Sequence, residues 1–126
     1  MILRGTLLAL TIAVAGCTQS GNVTRGESVQ ALMARVARQV QICWFKAKDP
    51  TFTKYKMATE LDSFSGRPRI LIVPRNKPTG LPQLVAQAER KSGRNTFTTF
   101  GPLLSGAEGP RLNASLAKWA NGTVTC

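Results

Sequence analysis

An apolar run near the amino terminus limits what the rest of the chain can become. Residues 7–14 form this run, Arg4 lies before it, and the small residues Ala15 and Gly16 follow it. A positive start, a short apolar core and a small-residue end are the layout of a secretory signal peptide. The run is shorter than the roughly 20 apolar residues that a membrane-spanning helix needs. We therefore expect residues 1–16 to be a leader that is removed on export.

The end of this leader carries a motif of its own. Val14-Ala15-Gly16-Cys17 resembles the lipobox of bacterial lipoprotein precursors, in which signal peptidase II cuts before a cysteine that carries diacylglycerol. The resemblance implies a lipid on Cys17, and several acyl chains anchor a protein far more firmly than one. Thr18 stands where an Asp usually marks retention in the inner membrane, so the resemblance implies an outer-membrane lipoprotein facing the periplasm. The alternative is ordinary cleavage near Ala15, with Cys17 as an odd thiol.

The mature chain is long enough for one domain. Residues 17–23 form a short polar tether that contains Ser20, Gly21 and Asn22. Residues 24–126 are enough for one folded domain and too few for two. The sequence thus divides into a leader, a lipidated tether and a single periplasmic domain.

Two cysteines, Cys43 and Cys126, are left in the domain once Cys17 is lipidated. The oxidising periplasm favours their pairing as a structural disulfide. A redox or metal role is the alternative. The two residues lack the CxxC spacing of oxidoreductases, and the chain has no histidine to complete a zinc site.

The first predicted element of the domain is an amphipathic helix. Thr24 and Glu27 have the spacing of a capping box. Behind them an apolar stripe recurs every three or four positions, at Val29, Leu32, Met33, Val36, Val40 and Cys43. Such a stripe predicts a helix packed on a core, here ending at Trp44-Phe45. The residues off the stripe should face solvent: Arg35, Arg38, Gln39 and Gln41.

The remaining chain is predicted to mix strands and helices. Apolar alternation predicts strands over residues 54–62 and 69–73, joined as an antiparallel hairpin. A helix from Pro82 to Gly93, a strand over residues 95–100, a short helix marked by Leu112, Leu116 and Trp119, and an edge strand over residues 123–126 follow. The predicted class is α+β: a two-layer domain with an antiparallel sheet of three to four strands and helices on one face.

The predicted order and one motif resemble a second family. A first helix ending in Cys43-Trp44, a hairpin, an alanine-rich helix and a later cysteine are similar to the C-terminal domains of TolA and TonB type. The hairpin turn Ser65-Gly66-Arg67-Pro68 differs from the Pro-Asp-Gly-like turn of that family. The resemblance implies a small periplasmic domain that pairs with other proteins through a sheet edge.

The charge of the domain predicts a class of partner. Removing the leader removes one of the 17 basic residues and leaves 16 against six acidic ones, a formal charge of +10. This excess attracts anionic partners such as lipopolysaccharide, peptidoglycan or DNA. The candidate anion-binding residues are Arg67, Arg69, Arg75 and Lys77. The alternative is a solvated surface that keeps the protein soluble.

The residue types argue against catalysis. Without histidine, neither Ser-His-Asp nor Cys-His chemistry has its general base. Glu60 and Asp62 share a face of one predicted strand and are better explained as surface charges than as a catalytic pair. We expect a binding protein with no cofactor, metal or small-molecule substrate. It would dock an envelope protein or, alternatively, bind an anionic polymer.

Overall fold

The computed structural model describes residues 26–62 and 66–126. The predicted leader, the lipobox with Cys17, the tether and Thr24 of the predicted capping box lie outside the described residues.

Along the chain, four strands come between two groups of helices. The first group is α1 (Val29–Val40), a π-helical turn (Gln41–Lys46) and a short 3₁₀ turn (Pro50–Phe52). The strands are β1 (Tyr55–Glu60), β2 (Arg69–Pro74), β3 (Leu84–Lys91) and β4 (Arg94–Phe100). The second group is α2 (Pro102–Ser105) and α3 (Gly109–Ala120). The predicted α+β class is confirmed.

The strands form one antiparallel sheet in the order β1-β2-β3-β4. α1 packs on β2 and β3, and α3 packs on α1. The core lies between this helical layer and one face of the sheet. Its fully buried members include Met33, Val36, Ile70, Ile72, Leu84, Leu112, Leu116 and Trp119. Every apolar residue of the predicted α1 stripe from Val29 to Val40 is buried, as expected.

The helix predicted from Pro82 to Gly93 is wrong, because these residues contain β3. The segment is rich in helix-forming residues, but β2 and β4 pair with it on both sides, and such tertiary pairing overrides local preference. Ala86 and Ala88 are completely buried on the face that α1 covers. Small side chains there leave room for the helix. Strand alternation therefore accounts for the alanines that had indicated a helix.

Gly93 belongs to a turn and does not cap a helix. Ser92 and Gly93 both have positive φ, at 50° and 76°, and Lys91 pairs with Arg94 across them. This is the two-residue turn with φ > 0 at both central positions, which matches the twist of the flanking strands.

The carboxyl-terminal segment is not the predicted edge strand. Residues 123–126 belong to no strand. Trp119 Nε1 donates to the Thr125 carbonyl at 2.7 Å, and Lys118 Nζ donates to the Cys126 carbonyl at 2.7 Å. The tail is therefore held by α3, and the sheet edges lie elsewhere.

The start of α1 also differs from prediction. Ser28 caps the helix, with its side chain accepting from the Ala31 N–H at 3.0 Å. Glu27 forms an ion pair with Arg35 instead of reaching back to a cap. Arg35 was expected to face solvent, yet its Nε and Nη2 donate to the carbonyls of Trp119 and Ala120, each at 2.9 Å. A guanidinium at the end of α3 satisfies carbonyls that the helix leaves unpaired and complements its dipole.

Gln39 was likewise expected on the solvent side and is buried, with 5% of its surface exposed. Arg38 and Gln41 are exposed as predicted. The flank of α1 is covered because α3 packs on that helix. The stripe of α1 alone does not reveal this second contact.

The predicted disulfide is present, joining Cys43 and Cys126 with their Cα atoms 5.4 Å apart. It ties the π-helical turn after α1 to the tail after α3. Beside it, Trp44 stacks on Phe52 with ring centroids 4.4 Å apart and contacts Trp119 at 5.3 Å. The bridge and the aromatic cluster together close the end of the helical layer.

Replacing Cys43 or Cys126 with serine should lower the thermal midpoint of unfolding by more than about 15 °C. A bridge across 83 residues stabilises a fold by about 4 to 5 kcal/mol in the chain-entropy model, and about 1 kcal/mol shifts the midpoint of such a domain by roughly 4–8 °C. Circular dichroism of C43S, C126S and the double variant should give three similar midpoints, since each removes the same covalent link. Free thiols at both positions in wild-type protein purified without reductant would contradict this assignment.

Candidate binding surfaces

The four predicted anion-binding residues do not form one cluster. Arg67 and Arg69 lie at one end of β2, where Arg67 pairs with Glu89 at 2.9 Å and Arg69 pairs with Glu60 at 2.5 Å. Arg75 and Lys77 follow the other end of β2. Arg75 lies six positions after Arg69 along the line of β2, a distance of about 20 Å. No small ligand spans that distance, so the run is two separate basic regions.

One basic region surrounds the turn between β3 and β4, which we call the hairpin end of the sheet. Arg90, Lys91 and Arg94 are exposed there. Arg67, which lies just before β2, is exposed at the same end of the sheet. Lys91 Nζ lies 3.1 Å from Glu89, and a hydrogen bond from Lys91 with the nearby charge of Arg67 lowers the pKa of Glu89. One carboxylate thus faces several cations, and the region stays positive.

The other basic region lies at the opposite, distal end of the sheet. Arg75 donates through its backbone N–H to the Lys54 carbonyl and through Nε to the Tyr55 carbonyl, each at 2.9 Å. It contributes to two shallow hollows of about 440 and 250 Å³. The first is lined by Lys54, Tyr55, Pro74, Arg75, Asn76 and Gln83, and the second includes Phe45, Lys48 and Phe52.

Lys48 in the second hollow has a φ of 55°, which is unusual for a residue with a side chain. Its N–H donates to the Phe45 carbonyl at 3.1 Å, immediately after the π-helical turn. A left-handed residue is a common way for a helix to end. The conformation is therefore explained by helix termination and does not point to a ligand.

A cluster of hydrogen-bonded polar side chains at the distal end joins the 3₁₀ turn to α3. Arg111 of α3 reaches Asp49, with Nη1 2.8 Å from Oδ2, and Asp49 also accepts from the Thr51 N–H at 3.0 Å. Burial of Asp49 opposes ionisation, but the hydrogen bonds from Arg111 and Thr51 and the Arg111 charge outweigh it and lower the carboxyl pKa. This arrangement is structural, since it fixes the 3₁₀ turn against the start of α3. Within the described residues no three acidic, cysteine or histidine side chains cluster as metal ligands would.

The two edges of the sheet differ in chemistry. β1 carries Lys56 and Glu60, and Lys54 and Asp62 flank it. Charged side chains on an edge strand discourage pairing with another chain. β4 has no charge and no proline from Asn95 to Phe100, and none of its residues is buried. The β4 edge therefore lacks the usual protection.

The backbone of β4 presents hydrogen-bonding groups outward. In a two-residue hairpin the closing pair, here Lys91 and Arg94, is hydrogen-bonded, and pairs then alternate along an antiparallel ladder. Asn95, Phe97 and Thr99 consequently point their N–H and C=O groups away from β3. Among the described residues no backbone partner from outside the sheet meets them. Within the described part of the chain, no strand pairs with this edge.

Sequence reasoning placed β4 within one residue but missed that it is an edge. The helix wrongly assigned to β3 and the strand wrongly assigned to the tail together hid its position. The available signal was the run Asn95 to Phe100, an alternating strand without any charged residue in a chain with 23 charged side chains, 17 basic and six acidic.

The fold and these surfaces define a small α+β domain with an open four-stranded meander and a helical layer on one face. Comparison with protein-family models, with curated proteins and with solved structures found no match. None of the helices that the structure describes is long and apolar enough to cross a membrane.

Replacing Asp49 with asparagine should destabilise the protein by about 1–2 kcal/mol at pH 7, because a charge-assisted hydrogen bond is lost. The folded-state pKa of Asp49 is lowered. Its stabilisation is therefore complete above the unfolded pKa of about 3.9 and disappears as the pH falls through the lower folded value. Denaturant unfolding of wild type and D49N should give a difference that shrinks below pH 4.

Glu108→Gln is the matched control, since Glu108 bonds the same Arg111 but its side chain is 50% exposed. An exposed pair contributes at most about 1 kcal/mol, so E108Q should have the smaller effect. A D49N difference that stays constant from pH 7 to pH 2 would contradict the role assigned to the ionised carboxylate.

Proposed function

We propose that this protein is a lipid-anchored docking component of the bacterial cell envelope. A lipid on Cys17 attaches it to the outer membrane on the periplasmic side, and the β4 edge binds an extended segment of another envelope protein. The observation that supports docking is the contrast between the two edges, one guarded by charge and one open over Asn95 to Phe100. The sequence Val14-Ala15-Gly16-Cys17 supports the anchor.

Strand addition suits this edge energetically. An incoming strand bonds to the outward groups of Asn95, Phe97 and Thr99, and side-chain contacts on the two faces of the sheet give it specificity. On the open face Phe100 is 49% exposed beside the buried Val85, with which it is paired. On the helical face Phe97 is half-buried against the core. The partner segment would place apolar side chains beside these two rings.

The charge of the domain indicates which kind of partner segment would bind. A formal charge of +10 favours an acidic or neutral segment over a basic one. This preference acts mainly on the association rate and decreases with salt. The backbone pairing does not depend on it.

Binding of an anionic polymer is the less favoured function. The candidate residues Arg67, Arg69, Arg75 and Lys77 are divided between two ends of the sheet. Arg67 and Arg69 are also engaged by Glu89 and Glu60. A long polymer can contact both ends, and its affinity would then fall steeply with salt. Pairing at the β4 edge would show a weaker dependence.

The anchor is tested by replacing Cys17 with serine. The precursor should then remain uncut by signal peptidase II and take up no labelled fatty acid, because the modified sulfur is gone. Metabolic labelling and fractionation measure both outcomes. A variant that is still processed and still sediments with membranes after a salt wash would refute lipid anchoring.

The docking edge is tested by replacing Thr99 with proline. This removes one outward N–H and places a ring on the edge, while the bonds between β3 and β4 remain. A photoreactive residue at Thr98 should crosslink the partner in intact cells, and T99P should reduce that yield by about fivefold or more, given about 1 kcal/mol for one hydrogen bond.

Two controls separate edge pairing from general damage. Thr59→Pro makes the same change at an outward position of β1, since the Arg75 to Lys54 bond sets the alternation there. Thr99→Val removes the hydroxyl that contacts Asn113 at 2.8 Å but keeps the N–H. Both should leave crosslinking unchanged. Equal loss in T59P, or no loss in T99P, would rule out the β4 edge as the docking site.

A further inference from the structure

The chain enters the domain at the hairpin end of the sheet. Gly26 lies so close to the guanidinium of Arg90 that a Cβ at Gly26 would collide with it. Asn95 Nδ2 donates to the Glu27 carbonyl, which fixes the start of α1 against β4. A hollow of about 430 Å³ marks this junction, and Gly93 and Arg94 form part of its lining. Gly26, which follows the tether by three positions, therefore lies beside the turn at Ser92-Gly93.

The tether restricts how far this end can lie from a membrane. Cys17 and Gly26 are nine positions apart in the sequence. A fully extended chain spans at most about 3.5 Å per residue, so the two are separated by no more than about 30 Å. A domain of this size has a radius of gyration of about 13 Å. A lipid on Cys17 thus allows the hairpin end to touch the bilayer.

The hairpin end has the charge that such contact needs. Arg90, Lys91 and Arg94 lie within five consecutive residues, all exposed. Arg90 is held in place by hydrogen bonds from its Nη1 to Asn95 Oδ1 and from its Nη2 to the Gly93 carbonyl, each at 3.1 Å.

We infer that the hairpin end is a membrane-apposed surface that binds anionic phospholipid head groups, with Arg90, Lys91 and Arg94 as its contacts. This inference rests on the lipid anchor of the proposed function. Each basic residue beside an anionic bilayer increases the bound population by about fivefold. The distal end is also basic, but it lies at the end of the sheet away from Gly26. Membrane contact through the hairpin end can therefore be distinguished by experiment from contact through the distal end.

The experiment uses the mature lipoprotein reconstituted in vesicles of phosphatidylcholine, with or without about 30% phosphatidylglycerol, a fraction chosen to give a clearly negative surface. A fluorophore is attached at Ser92→Cys on the hairpin turn or, as the matched position, at Thr79→Cys in the distal loop. A quencher on the lipid head group reports contact. Quenching at position 92 should rise with phosphatidylglycerol, and quenching at position 79 should not.

Charge variants identify the contacts. K91S/R94S leaves the hydrogen-bonded Arg90 in place and should shift the ratio of contacting to free hairpin by about fivefold or more, at about fivefold for one full charge, because Lys91 is partly neutralised by Glu89. K54S/K77S removes the same charge from the distal end and should leave quenching at position 92 unchanged. Circular dichroism of both double variants verifies that each is folded.

The outcomes separate this inference from the proposed function. Protein that fails to float with pure phosphatidylcholine vesicles has no lipid anchor, and the proposed function then fails. Protein that floats but shows equal quenching at positions 92 and 79, or no effect of K91S/R94S, overturns the inference alone. Equal loss of quenching at position 92 in K91S/R94S and K54S/K77S would mean that the total charge of the domain attracts it to the membrane in no fixed orientation. That result also overturns the inference.

Discussion

The packing of α1 against both the sheet and α3 is the contact on which the rest of the structure depends. Met33 and Val36 in the middle of α1 have no exposed surface, and Ile72 and Leu116 on its two sides are equally buried. Burying one such side chain contributes roughly 1.5–3 kcal/mol. The small residues Ala86 and Ala88 on β3 allow this approach, and Arg35 ties the far flank of α1 to the end of α3. The disulfide covalently joins the segment that follows α1 to the segment that follows α3.

This packing explains which parts of the fold the sequence could predict. The α1 stripe, the first hairpin and the face of α3 each show their period locally, because one side meets the core and the other meets water. β3 shows its period less clearly, since Val85 on the open face is buried along with Leu84, Ala86 and Ala88 on the core face. Its residues were then read by helix propensity, which is the weaker signal when neighbouring strands pair on both sides. The environment of Arg35 was missed for a related reason, because its partners are carbonyls more than 80 residues away.

The candidate surfaces were predicted less completely than the fold. Counting charges along the chain grouped Arg67, Arg69, Arg75 and Lys77, although β2 runs between the two pairs and separates them. The same counting passed over Arg90, Lys91 and Arg94, because the predicted helix contained the first two and ended before the third. Only the turn at Ser92-Gly93 brings them to one end of the sheet. Charge composition thus indicates a class of partner, while topology decides which residues can act together.

The proposed anchor and the proposed docking edge are linked by the direction of β4. This strand begins at Arg94, beside the entry of the tether, and ends at Phe100 at the far side of the sheet. A domain resting on its hairpin end would hold β4 upright, with its seven residues rising about 23 Å from the bilayer. A partner segment pairing there would run along the membrane normal, whether parallel or antiparallel to β4. The guarded edge, β1, would stand on the opposite side of the sheet. Membrane contact through Arg90, Lys91 and Arg94 would therefore orient the open edge before a partner arrives and reduce the rotational freedom that docking has to remove.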